Sequence, residues 1–275
     1  MFVSTGQHST HWGLESRIGA GFCGTVWAAD AHPESAFKQE DGGRDRSLEN
    51  DSRMHQHLGN CIEETLGQAR DTHPHIHAIL HRFPEGYQPC NMIHAQRIPA
   101  MNAETRRLLT ERYCPQELVK EILNSDTNRD CLIRPYLGRR RISRPSKFKA
   151  FSLRNYPLHI DQMVEIGVPE QDVHGYVRTM AEALAVMHWF VLAAPNNRPD
   201  KKQETRKTWS NILGDHEMWV LDFDLVRSMS MDEQGVRQAV GAFLKNDPFF
   251  PRPGQHPELW STFRAIFGNE QRMHF

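Results

Sequence analysis

The chain has 275 residues, and its 33 Lys and Arg against 34 Asp and Glu leave a formal charge of −1 with the 16 His neutral. That balance excludes a general nucleic-acid binder, which carries a basic excess, and the 39% hydrophobic content excludes wholesale disorder. No apolar run approaches the roughly 18 residues that span a bilayer, and the start, MFVSTGQHSTHWG, lacks the basic and apolar regions of a secretory signal, so neither membrane nor export is expected. Cys23, Cys61, Cys90, Cys114 and Cys131 are odd in number and form no CxxC pair, which predicts a reducing compartment, cytoplasm or nucleus, and no structural zinc.

In chain order, residues 16–40 predict strands around a glycine-rich turn, with Thr25–Ala29 and Ser35–Lys38 as the β-forming stretches. Leu48, Met54 and Leu58 share a helical face over about 48–58. Ile76–Leu80 and Met92–Ile93, with Pro84-Glu85-Gly86-Tyr87 between them, suggest a hairpin. Glu104–Leu109 and Gln116–Leu123 look helical, and a basic stretch follows from Arg139-Arg140-Arg141 to Lys149, either a solvated loop or an anion patch. The strongest helix is 170–189, where Val173, Val177, Met180, Ala181, Leu184 and Met187 fall on one face. Residues 196–208 form a charged excursion. Short strands are expected at Asn211–Leu213 and Met218–Leu221, then helices near 232–245 and 257–267 with a proline-punctuated bend between them.

Three motifs carry chemistry. Gly19, Gly21, Gly24 and Val26 form G-x-G-x-x-G-x-V between two strands, where backbone can approach a phosphate chain without Cβ obstruction. Lys38 ends the following strand as a candidate phosphate ligand. Far downstream, Asn211 and Asp222 supply an amide and a carboxylate that could share one magnesium ion from neighbouring strands. His73, His75 and His77 alternate as on a strand face, either solvated or metal-binding.

In this order the motifs resemble the protein-kinase-like superfamily: Gly19, Gly21, Gly24 and Val26 match its glycine loop, Lys38 its strand lysine, Asn211 its metal-binding asparagine and Asp222-Phe223 the start of its D-F-G. The resemblance implies an α+β, two-lobed kinase-like fold: a β-rich lobe over 1–98, a helical lobe over 99–275 and a cleft between them. It implies a nucleotide at Gly19, Gly21, Gly24, Val26 and Lys38, Asp51 as the helix acid paired with Lys38, magnesium on Asn211 and Asp222, and ATP with magnesium as cofactors, with no zinc. Departures are plain. Five residues before Asn211 stands Arg206 rather than an aspartate, Asp224 replaces the D-F-G glycine, and no A-P-E follows. Asp200 or Asp224 is left as the candidate base.

Met180–Trp189, Trp219–Asp224 and Asp247–Pro253 are also similar to a fungal family of unknown function whose members are often labelled zinc-finger proteins. That similarity implies a fungal source and, at times, secondary metabolism. Three functions follow: a phosphotransferase acting on a small molecule through Lys38, Asp222 and Asp224; a nucleotide-independent cyclase or isomerase using histidines such as His188 as acid and base; and a non-catalytic pseudokinase. A small-molecule ligand is expected in each.

Overall fold

In a computed structural model of the chain, the described residues are 14–41, 47–66, 92–141, 151–189, 207–223, 226–227, 229–230, 232–246 and 248–272. The backbone separates into two units, Met1–Gly59 with Ile76–Pro99 and Leu221–Arg227, and Asn60–His75 with Ala100–Val220 and Ser228–Phe275. The architecture is mixed α+β, with a four-stranded antiparallel sheet and seven α-helices among the described residues.

Runs rich in Val, Trp, Phe, Thr and Ala suit a pleated, half-buried surface. They form β1 (Leu14–Ala20), β2 (Gly24–Ala29), β3 (His32–Glu40) and β4 (Met92–Gln96), hydrogen-bonded in that order. Register places Gly19, Val26, Lys38 and Ile93 in one row across all four strands, so their side-chain positions share a face. The next row, Arg17, Trp27, Phe37 and His94, belongs to the opposite face, where Phe37 stacks on His94 with ring centroids 4.6 Å apart. Helix α1 (Glu49–Leu66) runs past the expected end at Leu58. It starts on the Lys38 face, where fully buried Leu48 packs with Cys23 and Ile93. The expected strand at 76–80 lies outside the described residues, as do His73, His75 and His77; Met92–Ile93 is the start of β4.

In the second unit, α2 (Ala103–Tyr113) is capped by Asn102, whose Oδ1 accepts the Thr105 N–H at 2.7 Å. The stretch 116–123 divides into a 3-10 turn and α3 (Val119–Asn124). Two short parallel strands, β5 (Ile133–Tyr136) and β6 (Tyr156–His159), and α4 (Ile160–Ile166) have no counterpart in the sequence expectations, being too short to show a period. Helix α5 (Glu170–Trp189) falls where its periodicity placed it, burying Val173, Val177 and Ala181 against Leu109, Leu158, Met163, Leu259 and Phe263. Each of the larger side chains, valine upward, contributes about 1.5–3 kcal/mol of transfer free energy. Helix α7 (Pro257–Arg272) packs on α5, and α6 (Glu233–Lys245) is capped by Asp232.

Two strand expectations are corrected. The hairpin is β7 (Trp209–Asn211) with β8 (Gly214–His216), and Ile212-Leu213 form its turn. Asn211 Oδ1 accepts the Leu213 N–H at 2.9 Å, and Gly214 takes a left-handed φ of 76°. A Cβ there would also lie 2.1 Å from Asn102 Nδ2, so glycine sets the register. Met218–Leu221 forms no strand beyond a single bridge at Trp219. No helix among the described residues is long and apolar enough to cross a membrane.

Candidate functional site

The first unit gathers its charged groups at the start of α1. Leu48, Asp51, Ser52 and His55 are spaced three and four apart and all are buried, which turns Asp51 toward the sheet. Lys38 Nζ donates to Asp51 Oδ2 at 2.7 Å and to Asp222 Oδ1 at 2.8 Å. The Asp51 side chain is 4% exposed and that of Asp222 is 49% exposed, so one carboxylate is locked in and the other is open to water. Burial pulls the Lys38 pKa down, but the two carboxylates outweigh it and hold the ammonium well above the usual lysine range.

The segment carrying Asp222 is tied to α1. Asp51 Oδ1 accepts the Phe223 N–H at 2.9 Å, and Asn50 Nδ2 donates to the Val226 carbonyl at 3.2 Å. Phe223 is buried and tilts against His55 with centroids 5.0 Å apart. Asp222 adopts φ 65°, a left-handed conformation that aspartate and asparagine tolerate better than other side chains. Thus an irregular stretch, rather than the expected strand, presents the Asp222 carboxylate to Lys38.

The glycines play unequal parts. A Cβ on Gly24 would fall 2.2 Å from the Gln39 carbonyl oxygen, so strand contact alone requires glycine there. A Cβ on Gly21 would meet nothing within 4 Å, leaving the tip of the turn open. Gly21 N–H donates to the Gly24 carbonyl at 2.9 Å, closing the turn around exposed Phe22. Val26 lies directly between Gly19 and Lys38 in the cross-strand row.

Asn211 belongs to the second unit and to another network. Its Nδ2 donates to Asp172 Oδ2 and to the Tyr176 hydroxyl, both at 2.9 Å. The Tyr176 hydroxyl lies 2.7 Å from His216 Nε2, and His216 Nδ1 lies 2.8 Å from the Gly214 carbonyl. Because that carbonyl only accepts, Nδ1 carries the proton and Nε2 accepts from tyrosine. Burial pushes the Tyr176 pKa up to about 12, with Asp172 adding to the rise and the Asn211 N–H opposing it. Asp172 and Tyr176 lie one turn apart on α5, a spacing visible in sequence but with no motif to mark it. His188 sits farther along α5, edge-on to Phe267 of α7 at 5.8 Å, and burial lowers its pKa. Asp224 and Asp200 lie outside the described residues.

Residues 218–272 match a family described as zinc finger protein. No curated protein and no solved structure matches the chain. The family match corrects the assignment to the protein-kinase-like superfamily, because the matching family is a different one. It covers the Trp219–Asp224 and Asp247–Pro253 segments. Its description conflicts with the cofactor expectation, magnesium and ATP with no zinc, on the point of zinc. The residues of the match do not fit a zinc centre, however. The stretch contains no cysteine and, of histidines, His256 alone, where structural zinc takes four Cys or His ligands. Among the described residues, no group of three or more His, Cys, Asp and Glu is placed to hold a metal ion.

Proposed function

We propose that the first unit binds the phosphate chain of a nucleotide, with Lys38 as the anchoring cation and the open turn tip at Gly21 lying along the chain. The observation that carries this reading is the unequal pair of carboxylates on Lys38, 2.7 Å from buried Asp51 and 2.8 Å from exposed Asp222. Asp51 fixes the ammonium in place, and Asp222 occupies the position on Lys38 that a phosphate oxygen would take. An exchange of one anion for another leaves the lysine paired throughout, which avoids stranding a charge. A two-lobed, kinase-like architecture forms part of this reading as a fold and not as a family membership. In its favour stand the division of the chain into two units and the sheet row that joins the glycine turn to Lys38.

Binding without phosphoryl transfer is the form we favour. Asn211 has its amide engaged by Asp172, Tyr176 and Leu213, which leaves little of it for a metal ion. The test is a thermal-shift titration with ATP, ADP and adenosine, in EDTA and again with added magnesium chloride. A ligand at 100 times its dissociation constant stabilises the native state by about 2.7 kcal/mol. The expected result is a shift with ATP and ADP, none with adenosine, and loss of the shift in Gly21→Val. No shift with any nucleotide removes the proposal and leaves the first unit to a different small molecule.

A further inference from the structure

Helix α6 carries an apolar face wider than the fold covers. Residues four apart form rows along a helix, and three such rows lie side by side here. The row Gly235, Ala239 and Phe243 is turned to the fold. Gly235 is buried, and Phe243 packs on Phe250 and Phe263 with ring centroids 5.5 and 6.1 Å apart. The next row, Val236, Val240 and Leu244, faces solvent, its residues 60%, 51% and 63% exposed. Other exposed large apolar residues, Phe22, Val164, Ile212 and Leu221, stand on separate stretches of the chain, which is ordinary. A continuous apolar row is not. No helix or strand among the described residues packs along α6; α7 packs on α5 instead.

The third row is Arg237, Gly241 and Lys245. A glycine inside a helix destabilises it relative to alanine, and a Cβ on Gly241 would meet nothing within 4 Å. The fold therefore gives no reason for glycine at 241. Its effect is to deepen the groove beside the apolar row at mid-helix, between two long basic side chains. Ridge and groove thus lie next to each other on one exposed face.

We propose that a second copy of this chain covers that face, α6 pairing antiparallel with α6 across a two-fold axis near Val240. Rows at four-residue spacing interdigitate when two helices cross at about 50°, and two copies of one helix supply matching ridge and groove. Val236 of each copy then meets Leu244 of the other, and each Val240 enters the groove at the other's Gly241. Charge selects the direction. With Glu233 in the first turn of α6 and Lys245 in the last, antiparallel helices set acid toward base, and parallel ones would set like toward like. Glu233 also holds Arg237 of its own helix at 2.6 Å, an exposed pair worth little, which Lys245 of the other copy can join. A formal charge of −1 leaves two copies with little mutual repulsion. One helix of 13 residues offers less than the roughly 1,200 Å² of a standard stable complex, so the dimer is weak and concentration-dependent.

The experiment is sedimentation velocity on the full chain between about 5 and 500 µM. The sedimentation coefficient is expected to rise from monomer toward dimer across that range. Val240→Glu, on an exposed residue, should keep the melting temperature of the monomer and weaken association at least about tenfold. Gly241→Leu fills the groove and should weaken it comparably, whereas a residue on open helix surface alone would tolerate that change. Glu233→Lys and Lys245→Glu should each weaken self-association, and an equal mixture of the two should recover it, because every mixed pair then sets opposite charges together at both ends. A chain that is monomeric at every concentration overturns the proposal and leaves the row to a different protein. A dimer indifferent to Val240→Glu and Gly241→Leu overturns it by placing the interface elsewhere, and no recovery on mixing rejects the antiparallel pairing. Val240→Glu should retain the ADP shift, so this proposal and the one at Lys38 stand or fall separately.

Discussion

In the first unit a charged cluster is drawn from three distant stretches, Lys38, Asp51 and Asp222, and one of its arms is open to water. In the second, Asp172, Tyr176, Asn211 and His216 form a hydrogen-bonded chain between one helix and one hairpin. There each donor of Asn211, Tyr176 and His216 named above meets an acceptor. The difference lies in what a ligand could displace. An exposed carboxylate on a lysine can be exchanged for another anion, whereas the Asn211 network offers no such vacancy without breaking a bond between α5 and the β7–β8 hairpin. On the reading proposed above, two polar clusters of similar size serve different ends, one as a site and the other as architecture.

The largest predicted effect breaks the first cluster from its buried side. Asp51→Ala removes the carboxylate that holds Lys38 and the acceptor of the Phe223 N–H. Loss of one partner from a buried ion pair costs about 3–5 kcal/mol, read as a fall in denaturant midpoint. The paired change Lys38→Met with Asp51→Leu should recover much of that loss, because it leaves no buried charge unpaired. Equal destabilisation in the single and double variants would show that charge is not what governs this cluster.

Next in size is the glycine turn. Gly24→Ala forces a Cβ against the Gln39 backbone, and overpacking of this kind costs roughly 1–3 kcal/mol. Gly21→Ala meets open space and should stay within about 0.5 kcal/mol of the parent. Thermal melts of the two variants side by side check this; a large loss at Gly21 would mean that its turn is structural after all.

These contrasts also mark what the sequence reveals. Helix α5 was legible because twenty residues carry a sustained period, and Lys38 with Asp51 because glycine turn, strand lysine and helix acid follow in a recognisable order. The placement of Asp222 was not legible: its position depends on a left-handed backbone and on Asn50 and Asp51, far away in sequence. The Asn211 network was not legible for a similar reason. Its partners Asp172 and Tyr176 lie 39 and 35 residues earlier, in a helix whose apolar face dominated the pattern. Gly214, which sets the hairpin turn, is one glycine among 18, and only the approach of Asn102 distinguishes it.

A smaller effect is expected in the second cluster. Tyr176→Phe deletes the hydroxyl that donates to His216 and accepts from Asn211, while the ring keeps its edge contact with Trp209 at 5.0 Å. A net loss of about 1–2 kcal/mol follows from the broken hydrogen bonds, with nucleotide binding unchanged. Chemical denaturation with and without ADP measures both. A variant that lost the ADP shift would overturn the division between site and architecture.

The smallest stability effect, and the sharpest test of exchange, is Asp222→Asn. Asparagine tolerates the left-handed φ, so the substitution removes charge with little added backbone strain. With the Asp222 side chain 49% exposed, the pair with Lys38 is screened and its loss should cost under about 1 kcal/mol. The sign with pH is fixed by the raised Lys38 pKa. The contribution is complete below the unfolded lysine value of about 10.4 and disappears only as pH rises through the higher folded value. Denaturation at pH 6 and pH 9 should therefore give the same difference between variant and parent. If Asp222 occupies the place of a phosphate oxygen, its neutralisation removes a competitor for Lys38, and ADP in EDTA should bind several-fold tighter to the variant. Weaker binding in EDTA would instead make Asp222 a direct contact of the ligand, and the exchange on Lys38 would have to be abandoned.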